Sequence, residues 1–151
     1  MGSERIRAVA ARVPETAATL VDTNVLLDVF TEDPQWADWS AEALASARDA
    51  GLLVINPIVY AEVSVRFEGV EELDAALPAT DFLREELPYP AGFLAGKAYA
   101  RYRRQGGTKR SPIADFYIGA HAAVCRYRLL TRDSSRYRSY FPTLRLITPG
   151  E

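Results

Sequence analysis

The sequence predicts an α/β fold, a three-layer α/β/α sandwich around a mostly parallel five-stranded sheet. Three observations carry this. Short apolar runs recur (TLVD at 19–22, LLVI at 52–55, RLLT at 128–131); they are continuous rather than alternating, as in strands covered on both faces. Stretches with helical spacing separate them, the pattern of βαβ units. Two of those stretches open with a capping residue followed by proline, Asp33-Pro34 and Asn56-Pro57, the signature of a helix start.

In order, Thr19 to Asp22 reads as the first buried strand, and Val25 to Phe30 continues in helical register. Asp33-Pro34 opens a helix that places Trp36, Trp39, Ala43, Leu44 and Ala47 at helical spacing, and Gly51 ends it. Leu52 to Ile55 is a second strand, after which Asn56-Pro57 starts a helix to about Phe67. Val70 to Leu77 is helical and stops at Pro78, and Phe82 to Leu87 is a third strand. Pro88, Pro90 and Gly92 mark a turn before a helix from Phe93 to Arg104 that becomes basic at its end. Residues 105–108 form a loop, Ser111-Pro112 starts the next helix to about Tyr127, and strands follow at Arg128 to Thr131 and Leu144 to Thr148. Residues 1–18, rich in Ala and small polar residues, have no core pattern; they are expected to be a mobile N-terminal extension before a single domain over 19–150.

Composition narrows the function. At 151 residues, 48% hydrophobic and 25% charged, the chain is neither disordered, collagen-like nor a coiled coil. Its single cysteine, Cys125, excludes an internal disulfide and a cysteine-based zinc site. No apolar run approaches the roughly 18 residues of a membrane helix, and the N-terminus lacks a signal core, so a cytoplasmic protein without membrane contact is expected. Charge is divided: residues 1–96 hold 6 basic and 17 acidic side chains, residues 97–145 hold 12 basic and 2 acidic. Either the basic part meets a polyanion or the two parts neutralise each other.

Four acids stand where apolar residues belong. Asp22 closes the first strand and Asp133 follows the fourth, so both fall on the carboxyl edge of the sheet, where such folds bind ligands. Glu62 shares a helix face with Ile58 and Val59, and Asp115 faces the direction of Ile118, Gly119 and Ala122. Isolated buried carboxylates are costly unless paired or metal-bound, and the surrounding stretches offer few bases. Converging carboxylates suit hard divalent cations, chiefly Mg²⁺ or Mn²⁺, which activate water and stabilise a pentacovalent phosphate.

The ordered set LVDTNVLLD at 20–28, Ala61-Glu62, ADFYIGA at 114–120, TRD at 131–133 and the tail RYRSYFPTLRLITP resembles PIN-domain ribonucleases, specifically VapC-type toxins of type II toxin–antitoxin pairs. The resemblance covers residues 19–149. It implies a PIN-like fold and a catalytic site of Asp22, Glu62, Asp115 and Asp133 holding Mg²⁺ or Mn²⁺. Asp22 and Asp115 would be direct ligands, and Glu62 and Asp133 would complete the pocket directly or through water. Thr23 and Asn24 would orient Asp22 or a metal-bound water, with Thr131 beside them. It further implies endoribonucleolytic cleavage to 5′-phosphate and 3′-hydroxyl ends, a VapB-like antitoxin and a homodimer. The chain departs from the family in its N-terminal extension, because Asp22 usually lies within a few residues of the start. Two other readings are a non-catalytic RNA-binding PIN-like domain and another Mg-dependent phosphoryl-transfer domain. A receiver or an aspartyl phosphatase fits poorly, since the first strand ends in DTN rather than DxD or paired acids, and no lysine follows Lys109.

The remaining candidates are softer. Arg101, Arg103, Arg104, Lys109, Arg110, Arg132 and Arg136, interleaved with tyrosines, suit RNA phosphates and unstacked bases, or else form a solvated basic face. His121, the only histidine, is six residues past Asp115 and reads as structural; Cys125 reads as core. Trp36 and Trp39 are either amphipathic packing or an antitoxin or dimer contact.

Overall fold

The computed structural model describes residues 17–108 and 112–150, Pro112 by its backbone alone. The expected extension lies outside the described residues except for Ala17 and Ala18, and so do Lys109, Arg110 and Ser111. The strands are β1 (Thr19–Val21), β2 (Leu53–Ile55), β3 (Phe82–Arg84), β4 (Arg128–Leu130) and β5 (Leu146–Ile147). The helices are α1 (Thr23–Phe30), α2 (Ala37–Ala50), α3 (Pro57–Ser64), α4 (Val70–Ala76), α5 (Tyr89–Arg104), α6 (Pro112–Cys125) and α7 (Ser134–Tyr140). All five strands are parallel, in the order β3-β2-β1-β4-β5. This is the α/β/α sandwich that the alternating pattern predicts.

The middle of the sheet is the driest part. Leu20, Val21, Val54, Leu129 and Leu130 are fully buried, because helices cover both faces of short strands. Helix α1 packs on α2 and α3, and α5 packs on α6. Tyr102, Phe116, Tyr140 and Phe141 join α5, α6 and α7 in one aromatic cluster.

Several element boundaries differ from the sequence pattern for local reasons. The Asp33 carboxylate accepts from the amides of Gln35 and Trp36, so Asp33 does cap, but it caps a turn and the regular helix begins at Ala37. Asn56 caps α3 as its spacing predicts, its Oδ1 accepting from the Val59 amide at 2.9 Å. The prolines expected to form a turn belong instead to a helix start, with Pro88 as N-cap and Pro90 in the first turn of α5, where a missing N–H costs nothing. Helix α7 has no counterpart in the sequence pattern. Its residues SSRYRSY show no apolar stripe, yet Tyr137 is almost fully buried.

Candidate active site

The chain runs outward from β1 to β2 and β3, then returns to the other side of β1 as β4. The crevice at the carboxyl ends of β1 and β4 is therefore the switch point where an open α/β sheet binds its ligand. Asp22 is the first residue past β1, and its amide donates to the Leu130 carbonyl at the end of β4 at 2.9 Å. The carboxylate is 5% exposed. Its Oδ2 accepts from the hydroxyls of Thr131 at 2.8 Å and Tyr137 at 3.0 Å, while Oδ1 accepts from the Thr23 amide at 2.8 Å. Burial pushes the Asp22 carboxyl up to about 6 and the Asp115 charge adds to this, although the Thr131, Tyr137 and Thr23 hydrogen bonds pull the other way. Burial, with the Asp22 and Asp115 charges, in turn holds the Tyr137 hydroxyl well above its usual value, so it stays a donor.

The other three acids are carried by separate elements around Asp22, and no three of the four bring ligand oxygens within 4.8 Å of one another. Glu62, on α3, accepts from the Thr23 hydroxyl at 2.9 Å. Partial desolvation and then repulsion from Asp115 raise its carboxyl. Asp115 lies in the first turn of α6 and pairs with the guanidinium of Arg136 from α7. Asp133 is exposed at the start of α7; it accepts from the Ser135 hydroxyl at 3.2 Å, and its charge reaches Tyr137. Asp115 is thus felt at both Asp22 and Glu62, and Asp133 stands at the rim. Of the residues expected to orient Asp22, Thr131 does so directly. Thr23 gives its amide to Asp22 and its hydroxyl to Glu62. Asn24 Nδ2 lies 3.5 Å from Asp22 Oδ2 and 3.4 Å from Thr131 Oγ1, and its Oδ1 accepts from the Arg132 amide at 3.2 Å. Gly119, one turn beyond Asp115, lets α7 approach: a Cβ there would stand 2.7 Å from the Phe141 ring and 3.0 Å from Tyr137.

The basic candidates separate. Arg132 clamps buried Asp28 with two bonds of 2.6 and 2.9 Å and lies 5.0 Å from the centre of the Trp36 ring. Arg136 turns into the acid pocket. Arg101 donates to the Tyr140 carbonyl at 2.9 Å and covers its ring, and Arg103 donates to the Gly107 carbonyl at 3.1 Å. Arg104, Lys97, Arg101 and Tyr140 line an open cleft of about 380 Å³ beside α7. Trp36 and Trp39 meet edge to face at 6.3 Å and are half-buried, so each packs on one side and is open on the other.

Sequence reasoning missed Asp28 and Tyr137. Asp28 also accepts from Ser40 Oγ at 2.7 Å; the signal was available, since an acid interrupts the apolar run VLLDVF. Tyr137 gave no signal, because it lies among serines and arginines. His121 is structural, as its helix position suggests: it is fully buried, 3.1 Å from Asn56 Nδ2 and 3.0 Å from Glu85 Oε1. Cys125 is half-buried rather than core; burial and then the Glu85 charge push its thiol up to about 12. Burial raises the Glu85 carboxyl, but donors from Tyr127 and His121 outweigh it and hold it below its usual value.

Glu85, His121 and Cys125 are the one group among the described residues whose ligand atoms lie within 4.8 Å of one another. The Asn56 cap argues against a metal there. Asn56 Oδ1 is committed to the Val59 amide, so its Nδ2 faces His121 Nδ1 as a donor. That leaves the imidazole proton on Nε2, aimed at Glu85, where a metal would need a lone pair.

Comparisons with known proteins bear on the acid pocket. The sequence profile of the PIN domain matches residues 19–141. The chain belongs to the PIN-domain family. PIN domains are generally nucleases that use divalent metals. A search of curated proteins found no match. Among solved structures, the chain is similar to VapBC2 from Rickettsia felis, bound to a fragment of its promoter DNA, with a TM-score of 0.66 and 18% identity over 87% of this chain and 98% of that one. VapBC-1 from nontypeable Haemophilus influenzae gives 0.66 and 18% over 87% and 97%. A toxin–antitoxin complex from Klebsiella pneumoniae gives 0.62 and 23% over 88% and 98%. At these identities the likeness is one of PIN fold. Among the described residues, no helix is long and apolar enough to cross a membrane.

Proposed function

We propose that this PIN domain is a Mg²⁺- or Mn²⁺-dependent endoribonuclease and the toxin of a VapBC-type pair. The observation that carries the reading is Asp22, a buried carboxylate at the switch point that feels the Asp115 charge and is joined to Glu62 through Thr23. The donor set fits a hard divalent ion: every candidate ligand is a carboxylate oxygen. A carboxylate offers about four lone-pair sites. Thr131 and Tyr137 occupy both sites on Asp22 Oδ2, and Thr23 occupies one on Oδ1. One lone pair on Oδ1 is left for a cation. Asp115 and Glu62 would be the other ligands, with Asp133 at the rim.

When bound, the ion supplies Lewis acidity and a water of lowered pKa. The residues of the chain do the rest. Thr131 and Tyr137 hold Asp22 in one rotamer, and Thr23 holds Glu62, so these two carboxylates are already oriented. The acids repel a free phosphate backbone, which keeps RNA from the pocket until their charge is neutralised. In-line hydrolysis needs no 2′-hydroxyl and leaves 5′-phosphate and 3′-hydroxyl ends. The toxin role draws on the neighbours that are VapBC complexes; it brings with it a VapB-like antitoxin and a homodimer.

The test is cleavage of end-labelled single-stranded RNA with Mg²⁺ or Mn²⁺. Asp22→Asn and Asp115→Asn are each expected to lower the rate more than ~100-fold with the fold intact by circular dichroism. Excess EDTA is expected to abolish cleavage. Full cleavage by either variant, or in EDTA, refutes the assignment. RNA binding without metal-dependent cleavage would favour the non-catalytic reading. Growth arrest on induction, relieved by the adjacent small open reading frame, tests the toxin role separately.

A further inference from the structure

Among the described residues, Arg136 is the one predicted RNA contact that pairs with an acid of the candidate site. Its guanidinium pairs with Asp115 Oδ2, and its side chain is 21% exposed. The next residue, Tyr137, gives its hydroxyl to Asp22. A single turn of α7 therefore serves the two acids that the pocket reading makes direct ligands, a hydrogen-bond donor to one and a full positive charge to the other. The two contacts are not equivalent. The hydroxyl leaves a lone pair open on Asp22, whereas the guanidinium takes an Asp115 oxygen that a cation would need.

We propose that Arg136 is a positioning residue that stands in for the divalent cation. With the pocket empty, it neutralises Asp115 and limits repulsion among Asp115, Asp22 and Glu62. A divalent ion competes with it for Asp115, because the guanidinium and the ion carry like charge and repel each other at that distance. Arg136 is on a helix whose neighbouring residue is anchored to Asp22, so the displaced guanidinium stays beside the pocket. There it is suited to the bidentate recognition of a phosphate. The sequence thus carries one charge used twice, first on the acid and then on the substrate. This inference rests on the reading of the acid pocket as a cation site.

The experiment measures Mn²⁺ affinity by calorimetry on the full chain, without RNA. Arg136→Gln is expected to bind Mn²⁺ roughly tenfold more tightly or better, the size of one charge-assisted hydrogen bond removed from the competition. It is also expected to melt at a lower temperature in EDTA and to regain that loss when Mn²⁺ is added. Arg136→Lys, which keeps the charge without the fork, is expected to fall between wild type and Arg136→Gln. In the wild type, guanidinium resonances of Arg136 are expected to shift in step with added Mg²⁺. A purely structural ion pair predicts the opposite, because losing it would misplace Asp115. Mn²⁺ affinity unchanged or weaker in folded Arg136→Gln, or resonances that ignore Mg²⁺, overturns the proposal and leaves the pocket reading standing. Mn²⁺ affinity undiminished in both Asp22→Asn and Asp115→Asn overturns the pocket reading, and the role of Arg136 with it.

Discussion

At the scale of residues, Asp22 links stability to pH. Its carboxyl is raised from 3.8 to about 6 by burial, so the folded chain holds that proton more tightly than the unfolded chain. The contribution is fully present below pH ~4 and is lost as pH rises through ~6. A shift of this size is worth on the order of 3 kcal/mol. In EDTA, Asp22→Asn is therefore expected to be more stable than wild type at pH 7.5, with the difference shrinking toward pH 4. Urea melts at both pH values check this, and a difference that does not narrow on acidification contradicts it. The four acids stand out in the sequence by place, at strand ends or on helix faces shared with apolar residues, but of the four only Asp22 is buried. Their partners were not legible. Arg132 meets Asp28 across 104 positions and Arg136 meets Asp115 across 21. An arginine whose partner is distant in sequence looks the same as one in solvent.

At the scale of elements, starts were more legible than stops. Asn56-Pro57 marks its helix by chemistry that any sequence displays. The ends of α1 and α6 are hidden because the residue that usually marks them is absent. Glu32 and Arg126 sit at φ 51° and 59°. Asp33 N–H returns to the Asp28 carbonyl and Tyr127 N–H to the Ala122 carbonyl, both at 2.9 Å. These are the reverse-turn closures that glycine usually makes. A left-handed conformation costs a side-chain-bearing residue about 1–2 kcal/mol, against roughly 0.5–1 kcal/mol for glycine's extra chain entropy. Glu32→Gly is thus expected to stabilise by ~0.5–1 kcal/mol, a rise of about 2 °C in Tm for a chain of this size. Thermal denaturation checks it, and a fall in Tm contradicts it. Helix α7 was illegible for a different reason: its burial comes from two residues meeting other helices, not from a face of its own.

At the scale of the whole molecule, the divided charge becomes a spatial arrangement. Lys97, Arg101 and Arg104 line the cleft beside α7, and the acids lie where α7 begins. On the proposed function, a strand of RNA reaching the acids would have cations beside its path, and each phosphate contact to a single strand steepens log K against log salt by ~0.7. Arg103→Gln with Arg104→Gln is expected to weaken RNA binding and, with two phosphate contacts removed, flatten that slope by ~1.4, while leaving Mn²⁺ affinity unchanged. Filter binding from low to moderate salt checks it, and a slope the variant does not alter contradicts the path. The fold class and strand positions were readable because buried parallel strands are continuous apolar runs. The pairing of β1 with β4, which makes the pocket, was readable only as an edge.

That pairing also has a consequence in time. Asp22 depends on Thr131 and Tyr137, which follow it by 109 and 115 positions. At typical translation speeds of about 5–20 residues per second, the ribosome takes roughly 5–20 s to cover that distance. During the interval the emerging chain carries Asp22, and later Glu62, but neither the hydroxyls that fix Asp22 nor the helix that carries Arg136. If the proposed RNA cleavage holds, this is when the chain is tethered to a message. On that reading the site is incomplete while the chain is on its template, because the central strand gains its second neighbour only near the end of synthesis.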